Sequence, residues 1–264
     1  PSTMLLGMPR HLWPTYVEPV VRGEKTMCFA LTEPEAGSDA QSIRTRATQQ
    51  DDGSWVIEGH KHYITNADRA DVAIVFAVTD AEKRAAGGIT AFVVPGDQLT
   101  RGKVQWTIAD THPAELYLDR AHVPADHVIG EVGLGFLAAM DFLNAGRAFI
   151  GAQALGLGEF ALAEAVSHAQ KRTAFGKPIG KFQGVSFPLA ESKADLEAVR
   201  WLVYHLAWAV DEGEQPMLDA SITKMYATEK AYAVADRPVA GPGRLGLVGG
   251  GPGGRGLPPA RVVR

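Results

Sequence analysis

The sequence predicts a multi-domain α+β protein, an antiparallel β-barrel or sandwich domain followed by an antiparallel helical bundle. Two observations carry this. Between residues 27 and 131, apolar runs of strand length alternate with turn residues, and no long helix intervenes. Between 132 and 236, apolar residues recur every three to four positions over long segments. A change of composition at 237–264 sets off a Gly/Pro/Arg-rich, irregular end, and residues 1–26 stand before the strands as a helical opening.

The whole chain bounds the function. Its 264 residues are enough for one large domain or two modest ones with a full core. A net charge of −4 and an isoelectric point near 6.1 argue against a nucleic-acid binder, which would carry a basic stripe. A single cysteine, Cys28, excludes an internal disulfide and a Cys-rich metal site, and no metal ligand set is read. No run of 18 uninterrupted apolar residues is present, so no membrane span is expected. The N-terminus lacks a basic–apolar signal pattern, and the expectation is a cytoplasmic protein.

Each element has its own reason. Residues 1–23 read as a helix: Leu12, Tyr16, Val17, Val20 and Val21 share a helical spacing, and Gly23 stops it. Met27 to Leu31 is a short apolar strand, and Glu33-Pro34 ends it, because proline donates no N–H and pushes its predecessor to extended geometry. Asp51-Asp52-Gly53 before Trp55–Gly59 is a hairpin signal. Val72–Val78 and Gly88–Pro95 are continuous buried strands, and Leu116 and Leu118 face one way on another. A long helix is expected from Phe136 to Gln170, with Gly151, Gly156 and Gly158 allowing close helix packing. A second starts near Phe187 and ends at Gly213, and a third runs from Leu218 to Val234. Residues 237–264 hold nine glycines, five prolines and five arginines, which excludes a regular helix there.

Three stretches carry chemistry. Thr32-Glu33-Pro34-Glu35-Ala36-Gly37-Ser38-Asp39 closes the first strand with a tight polar loop. Gly37 has no Cβ to hold a cofactor away from the loop's N–H groups. By itself this is an ordinary strand-to-turn junction. Further on come Gly59-His60-Lys61-His62-Tyr63-Ile64-Thr65-Asn66 and then Arg172-Thr173-Ala174-Phe175-Gly176-Lys177-Pro178 with Gln183 behind it. In this order and at these separations they closely resemble the acyl-CoA dehydrogenase family of flavoproteins, over roughly residues 10–236. The family carries T-E-P-x-A-G-S-D, then G-x-K-x-[WY]-I-T-N, then R-x-x-F-G-x-x-[IL] followed by glutamine.

The resemblance implies FAD-dependent α,β-dehydrogenation of an acyl-CoA thioester, as in fatty-acid β-oxidation. Phe29, Leu31 and Thr32 would lie along the flavin ring, with Thr32 donating to it, and Tyr63 and Thr65 would cover its other edge. Ser38 matches a position near the CoA-bearing arm, and Arg147 an arginine near the active site. Arg172 and Phe175, with Gln183 beside them, match residues that hold the FAD of a partner subunit. A homodimer or homotetramer with flavin at the interface follows, with an electron-transfer flavoprotein as the expected acceptor. Without the motifs, Tyr63 reads as a strand-pairing aromatic, Arg172 as a cation near a helix C-terminus, and Arg147 as a helix cation with apolar flanks.

The catalytic base is not assigned. Most members place a glutamate in an I-Y-E-G string just after an R-D-A-R segment, and this chain stops at Arg264, a few residues short. Other members place it before the arginine matched by Arg147, where this chain has Gly146, which takes no proton. Asp141 is a turn and a half away and reads as a surface acid. Asp236-Arg237, Val239, Leu245-Gly246 and Ala260-Arg261 keep the family's register, which favours locally shifted reading frames or sequencing error over a genuine flexible tail; Ala240 stands at the family's flavin-contacting glutamine, with Gly243 and Arg244 at its paired glycines. The expectation is a chain with the first 1–26 residues as the remnant of an N-terminal helical domain and with impaired turnover. The alternatives are a non-catalytic flavin- or acyl-CoA-binding scaffold and a related flavin oxidase or nitroalkane oxidase.

Overall fold

A computed structural model describes residues 2–107, 111–214 and 216–240, the last three of them by backbone alone. The chain divides into two compact units, residues 1–142 and 143–264.

The first unit opens with short 3₁₀ turns and α1 (Trp13–Val21), then β1 (Met27–Ala30), β2 (Arg46–Gln49), β3 (Trp55–Ile64), β4 (Val72–Val78), β5 (Ile89–Pro95), β6 (Thr100–Val104), β7 (Ala114–Val123) and β8 (Val128–Ile129). The helix is shorter than the expected 1–23, because Pro14 sits in its first turn and 3₁₀ geometry precedes it. The strands form one sheet in the order β6-β7-β3-β2-β4-β5-β8, with β1 also paired to β4. Most pairs are antiparallel, as expected, but β1 and β2 both run parallel to β4. The expectation of a purely antiparallel sheet is corrected by the loops that carry the chain back after β1 and after β3. The Asp51-Asp52-Gly53 hairpin forms, with Gly53 at φ +84°.

The strand period decides the packing. Along β4, Ala73, Val75 and Ala77 enter one apolar core, while Val72, Ile74, Phe76 and Val78 enter a second. Both faces are covered, so the strand reads as an unbroken apolar run. The first core lies inside the curved sheet, with Cys28, Trp55, Ile57, Phe92, Leu116 and Leu118. The second holds Leu5, Val17, Leu31, Ile89 and the first turns of the next helix through Ala139. In β7 the register slips between Leu118 and Ala121, with Arg120 at φ +52°. That bulge keeps both Leu118 and Ala121 inside although they stand an odd three positions apart.

The long helix α2 (Gly135–Lys171) crosses the division between the units. A two-stranded hairpin, β9 (Thr173–Ala174) and β10 (Lys177–Pro178), leads to α3 (Gln183–Asp211) and α4 (Met217–Ala240). Leu155, Leu162, Leu196, Val199, Ala227, Ala231 and Val234 make the core of the second unit. The helix α3 begins four residues before the expected Phe187, with Pro188 inside it, and Ser192 Oγ bonds the carbonyl of Pro188. The helix α4 runs on through Arg237 to Ala240, so the irregular end expected from 237 does not begin there. Residues 241–264, including Gly243 and Arg244, lie outside the described residues. By length and composition alone α2 also meets the requirement for crossing a membrane, which a search for uninterrupted apolar runs misses. Its Ala154, Leu155 and Leu162 pack in the core of the second unit.

Candidate functional site

The first two motifs meet. The chain leaves β1 at Ala30, and the carbonyl of Thr32 accepts the His62 N–H of β3 at 2.9 Å. The loop then doubles back, because Glu33 and Ala36 exchange both backbone hydrogen bonds, at 3.1 and 3.2 Å. The Glu33 carboxylate reaches across the loop and accepts the Arg44 N–H at 2.6 Å and the Thr45 N–H at 3.0 Å. The segment from Glu33 to Thr45 is thus a closed surface loop with its ends tied together.

Beneath it lies Lys61, wholly buried. Its Nζ donates to the Leu31 carbonyl at 3.1 Å and to Glu33 Oε1 at 2.8 Å. Burial pulls the Lys61 ammonium down to about 8, against the opposing pull of Glu33. For Glu33, burial works to raise the carboxyl, but Lys61 and the Arg44 N–H outweigh it and hold it below its ordinary value. Beside the loop, burial pushes the Cys28 thiol up to about 12, which makes it an inert core residue.

The expected ring-side residues lie on this scaffold. Phe29 is half-buried, with its ring 4.9 Å from Phe76 and 5.2 Å from Phe142. Leu31 is buried in the second core and Thr32 is half-buried. Among the described residues neither the Thr32 N–H nor its hydroxyl has a hydrogen-bond partner, so two donors stand free at the strand end. Tyr63 is 59% exposed and adopts φ +56°, a left-handed conformation rare for a bulky residue. His62 stacks on it with ring centroids 3.9 Å apart, and His62 Nε2 is 3.5 Å from Glu115 Oε1. Thr65 and Ser38 are exposed, and a Cβ built on Gly37 would meet nothing within 4 Å, which leaves the loop's outer side open to a ligand. Free donors at Thr32, an open flank at Gly37 and an exposed aromatic face fit the edge of a planar, anionic cofactor.

The third motif forms a separate device in the second unit. Phe175 and Gly176 are the two central residues of the β9–β10 hairpin, at φ +50° and +78°. Both being positive matches the tight hairpin turn that follows strand twist, yet phenylalanine is costly there. Phe175 is 95% exposed. Arg172 is exposed, and its carbonyl accepts the Ile179 N–H, which closes the hairpin base. Gln183 is exposed at the start of α3. Arg147 is half-buried on α2 and bonds Asn144 Oδ1. A Cβ at Gly146 would meet nothing within 4 Å.

Glu33, Lys61 and His62 stand in the motifs, but neither their burial nor their partners is expected from the sequence alone. One signal was there: Lys61 falls in a core-facing run of β3, where an unpaired charge is forbidden, so a buried partner had to exist.

The chain is similar to known proteins. Residues 28–120 match the acyl-CoA dehydrogenase middle domain and residues 133–264 the acyl-CoA dehydrogenase C-terminal domain. A short-chain specific acyl-CoA dehydrogenase of Megasphaera elsdenii is 42% identical over 228 residues, covering 85% of this chain and 59% of the relative. A 3-(aryl)acrylate reductase of Clostridium sporogenes is 39% identical over 242 residues, covering 88% of this chain and 64% of the relative. The structure of butyryl-CoA dehydrogenase from Megasphaera elsdenii superposes with a TM-score of 0.91 at 38% identity, covering 99% of this chain and 71% of that one. The chain therefore spans less than two thirds of these curated relatives' length. With both domains matched in order, the chain belongs to the acyl-CoA dehydrogenase family.

Proposed function

We propose that this chain forms the flavin-binding part of an FAD-dependent acyl-CoA dehydrogenase. The observation that carries the reading is the junction of the first two motifs, where Thr32 presents free donors beside an exposed Tyr63. The Thr32 N–H and hydroxyl would hold the polar edge of the ring system, and Phe29 and Leu31 would line it. Tyr63 would cover its exposed side, kept in orientation by the stacked His62. FAD, when bound, supplies the acceptor for the hydride leaving the β-carbon of an acyl-CoA. Arg172 offers the forked donors that suit a pyrophosphate, and Phe175 the apolar face beside it, both toward a partner subunit's cofactor. Gln183 joins them. Ser38 would meet the CoA arm and Arg147 the substrate region.

A homodimer or homotetramer follows from a cofactor shared between subunits, and an electron-transfer flavoprotein is the acceptor this reading implies. The base that takes the α-proton is assigned to no residue of this chain, because Gly146 occupies one family position for it.

The test is a visible spectrum after incubation with FAD and desalting, followed by anaerobic addition of butyryl-CoA. Retention of a structured flavin band is expected, perturbed on addition of butyryl-CoA. A colourless protein would overturn the flavin reading, and a band that butyryl-CoA leaves unchanged would overturn the acyl-CoA reading.

A further inference from the structure

Lys61 breaks the pattern of its strand. Along β3, Trp55, Ile57 and Ile64 point into the core, and Lys61 is as buried as they are. A methionine would fill such a place at no electrostatic cost. A buried ion pair adds little net stability over apolar packing, so stability alone does not account for it. What the pair does have is direction. The Lys61 ammonium joins the last carbonyl before the loop, that of Leu31, to the first side chain in it, that of Glu33. The same carboxylate holds the amides of Arg44 and Thr45 at the loop's far end. Three backbone points, 31, 44 and 45, are tied to one buried hub, and Thr32 lies between the first of them and Glu33. The neighbouring residue on β3, His62, fixes the Thr32 carbonyl. Thr32 is therefore held on both sides while its own donors stay free.

We propose that the buried Lys61–Glu33 pair is a positioning device for the cofactor loop: it sets the place of the Thr32 donors by tying Leu31, Arg44 and Thr45 to a single hub beneath them. The proposal rests on the flavin reading above. Neither residue touches the cofactor; both act through Thr32 and the loop backbone. Removing either partner leaves the other as a buried charge without its counter-ion, and the loop relieves this by opening toward water. The sheet beneath has its own ladder and keeps its order.

The experiment compares Lys61→Met and Glu33→Gln with Thr90→Val. The last removes a buried hydroxyl that bonds the Gly133 N–H and the Thr79 hydroxyl in the same unit and takes no part in the Lys61–Glu33 hub. Amide hydrogen exchange of the FAD-free chain is read first. In both loop variants the Ala36, Arg44 and Thr45 amides should exchange at least about tenfold faster, while the β4 amides keep their protection. Thr90→Val should leave the loop amides unchanged. FAD affinity is then measured by flavin fluorescence, and the Kd should rise about tenfold or more in the loop variants and stay within about twofold of wild type in the control. Glu33→Gln keeps the side-chain shape and serves if Lys61→Met fails to fold. Loop variants with wild-type exchange and wild-type FAD affinity would overturn the proposal alone. A wild-type chain that binds no FAD would overturn the flavin reading, and the proposal with it.

Discussion

For Glu33 and for Lys61 alike, stability rises as pH climbs, each in its own window. The Glu33 carboxyl lies below its ordinary 4.5 in the fold, so the stability it brings is fully present above 4.5 and is lost as pH falls through the folded value. Lys61 titrates at about 8 in the fold against 10.5 free, so folding releases its proton between those values. On its account alone, stability rises as pH climbs from 8 to 10.5. Urea unfolding of the FAD-free chain across pH should show an acid limb that Glu33→Gln flattens; an unchanged limb would mean that other carboxylates carry it. Phe175 poses a different residue-scale problem. At φ +50° a phenylalanine costs about 1–2 kcal/mol over glycine, and at 95% exposure its ring has only an edge contact with Phe182, centroids 6.1 Å apart, to set against that among the described residues. Phe175→Gly should therefore stabilise the hairpin by about 1 kcal/mol while lowering flavin retention. Gain in thermal stability with undiminished flavin retention would remove Phe175 from the site. Thr32, Tyr63 and Phe175 were legible because each sits in a spaced motif. The partnership of Lys61 with Glu33 was not, since 28 residues separate them and only the fold makes them neighbours.

At the scale of elements, α2 shows which glycines packing needs. A Cβ on Gly158 would fall 2.6 Å from Leu196 Cδ2, and one on Gly151 would lie 3.0 Å from Thr223 Cγ2. Gly146 and Gly156 have nothing within 4 Å. The expectation of close packing thus holds at Gly151 and Gly158 and fails at Gly156. Gly156→Ala should raise stability by up to about 1 kcal/mol from helix propensity, whereas Gly158→Ala should cost about 1–3 kcal/mol from overpacking against the buried Leu196. Thermal melts of the two variants moving in the same direction would contradict this packing. Elements were legible in proportion to their apolar continuity. The seven apolar residues of β4 announced it, and β5 likewise. In β6, Thr100-Arg101-Gly102-Lys103-Val104 offers one apolar residue, and the strand forms because β7 supplies its ladder. The start of α3 was missed because Gly184 and Pro188 argue against helix locally. The helix nevertheless starts at Gln183, and Pro188 costs it one intrahelical bond, the one to the Gly184 carbonyl.

For the whole molecule, the face that α3 leaves exposed bears on assembly. Trp201, Tyr204 and Trp208 recur at spacings of three and four and are 73%, 59% and 54% exposed. Aromatic rings at this spacing on one helix face form a stripe that water covers poorly and a second apolar surface covers well. Phe175 and Arg172 add to the argument from the hairpin, since the aromatic ring is 95% exposed and the guanidinium has no hydrogen bond or ion pair among the described residues. If these two residues complete the cofactor site of another copy, cofactor affinity and assembly are linked by mass action. Diluting the FAD-loaded chain should then release flavin together with subunits, and the apparent Kd for FAD should fall as chain concentration rises. Trp201→Ser with Trp208→Ser should shift the assembly to lower mass and release flavin at higher chain concentration than wild type. Flavin fluorescence and light scattering on one dilution series read both quantities. An FAD affinity independent of chain concentration, in a chain that is monomeric throughout, would confine the cofactor to a single subunit and leave Phe175 without a task.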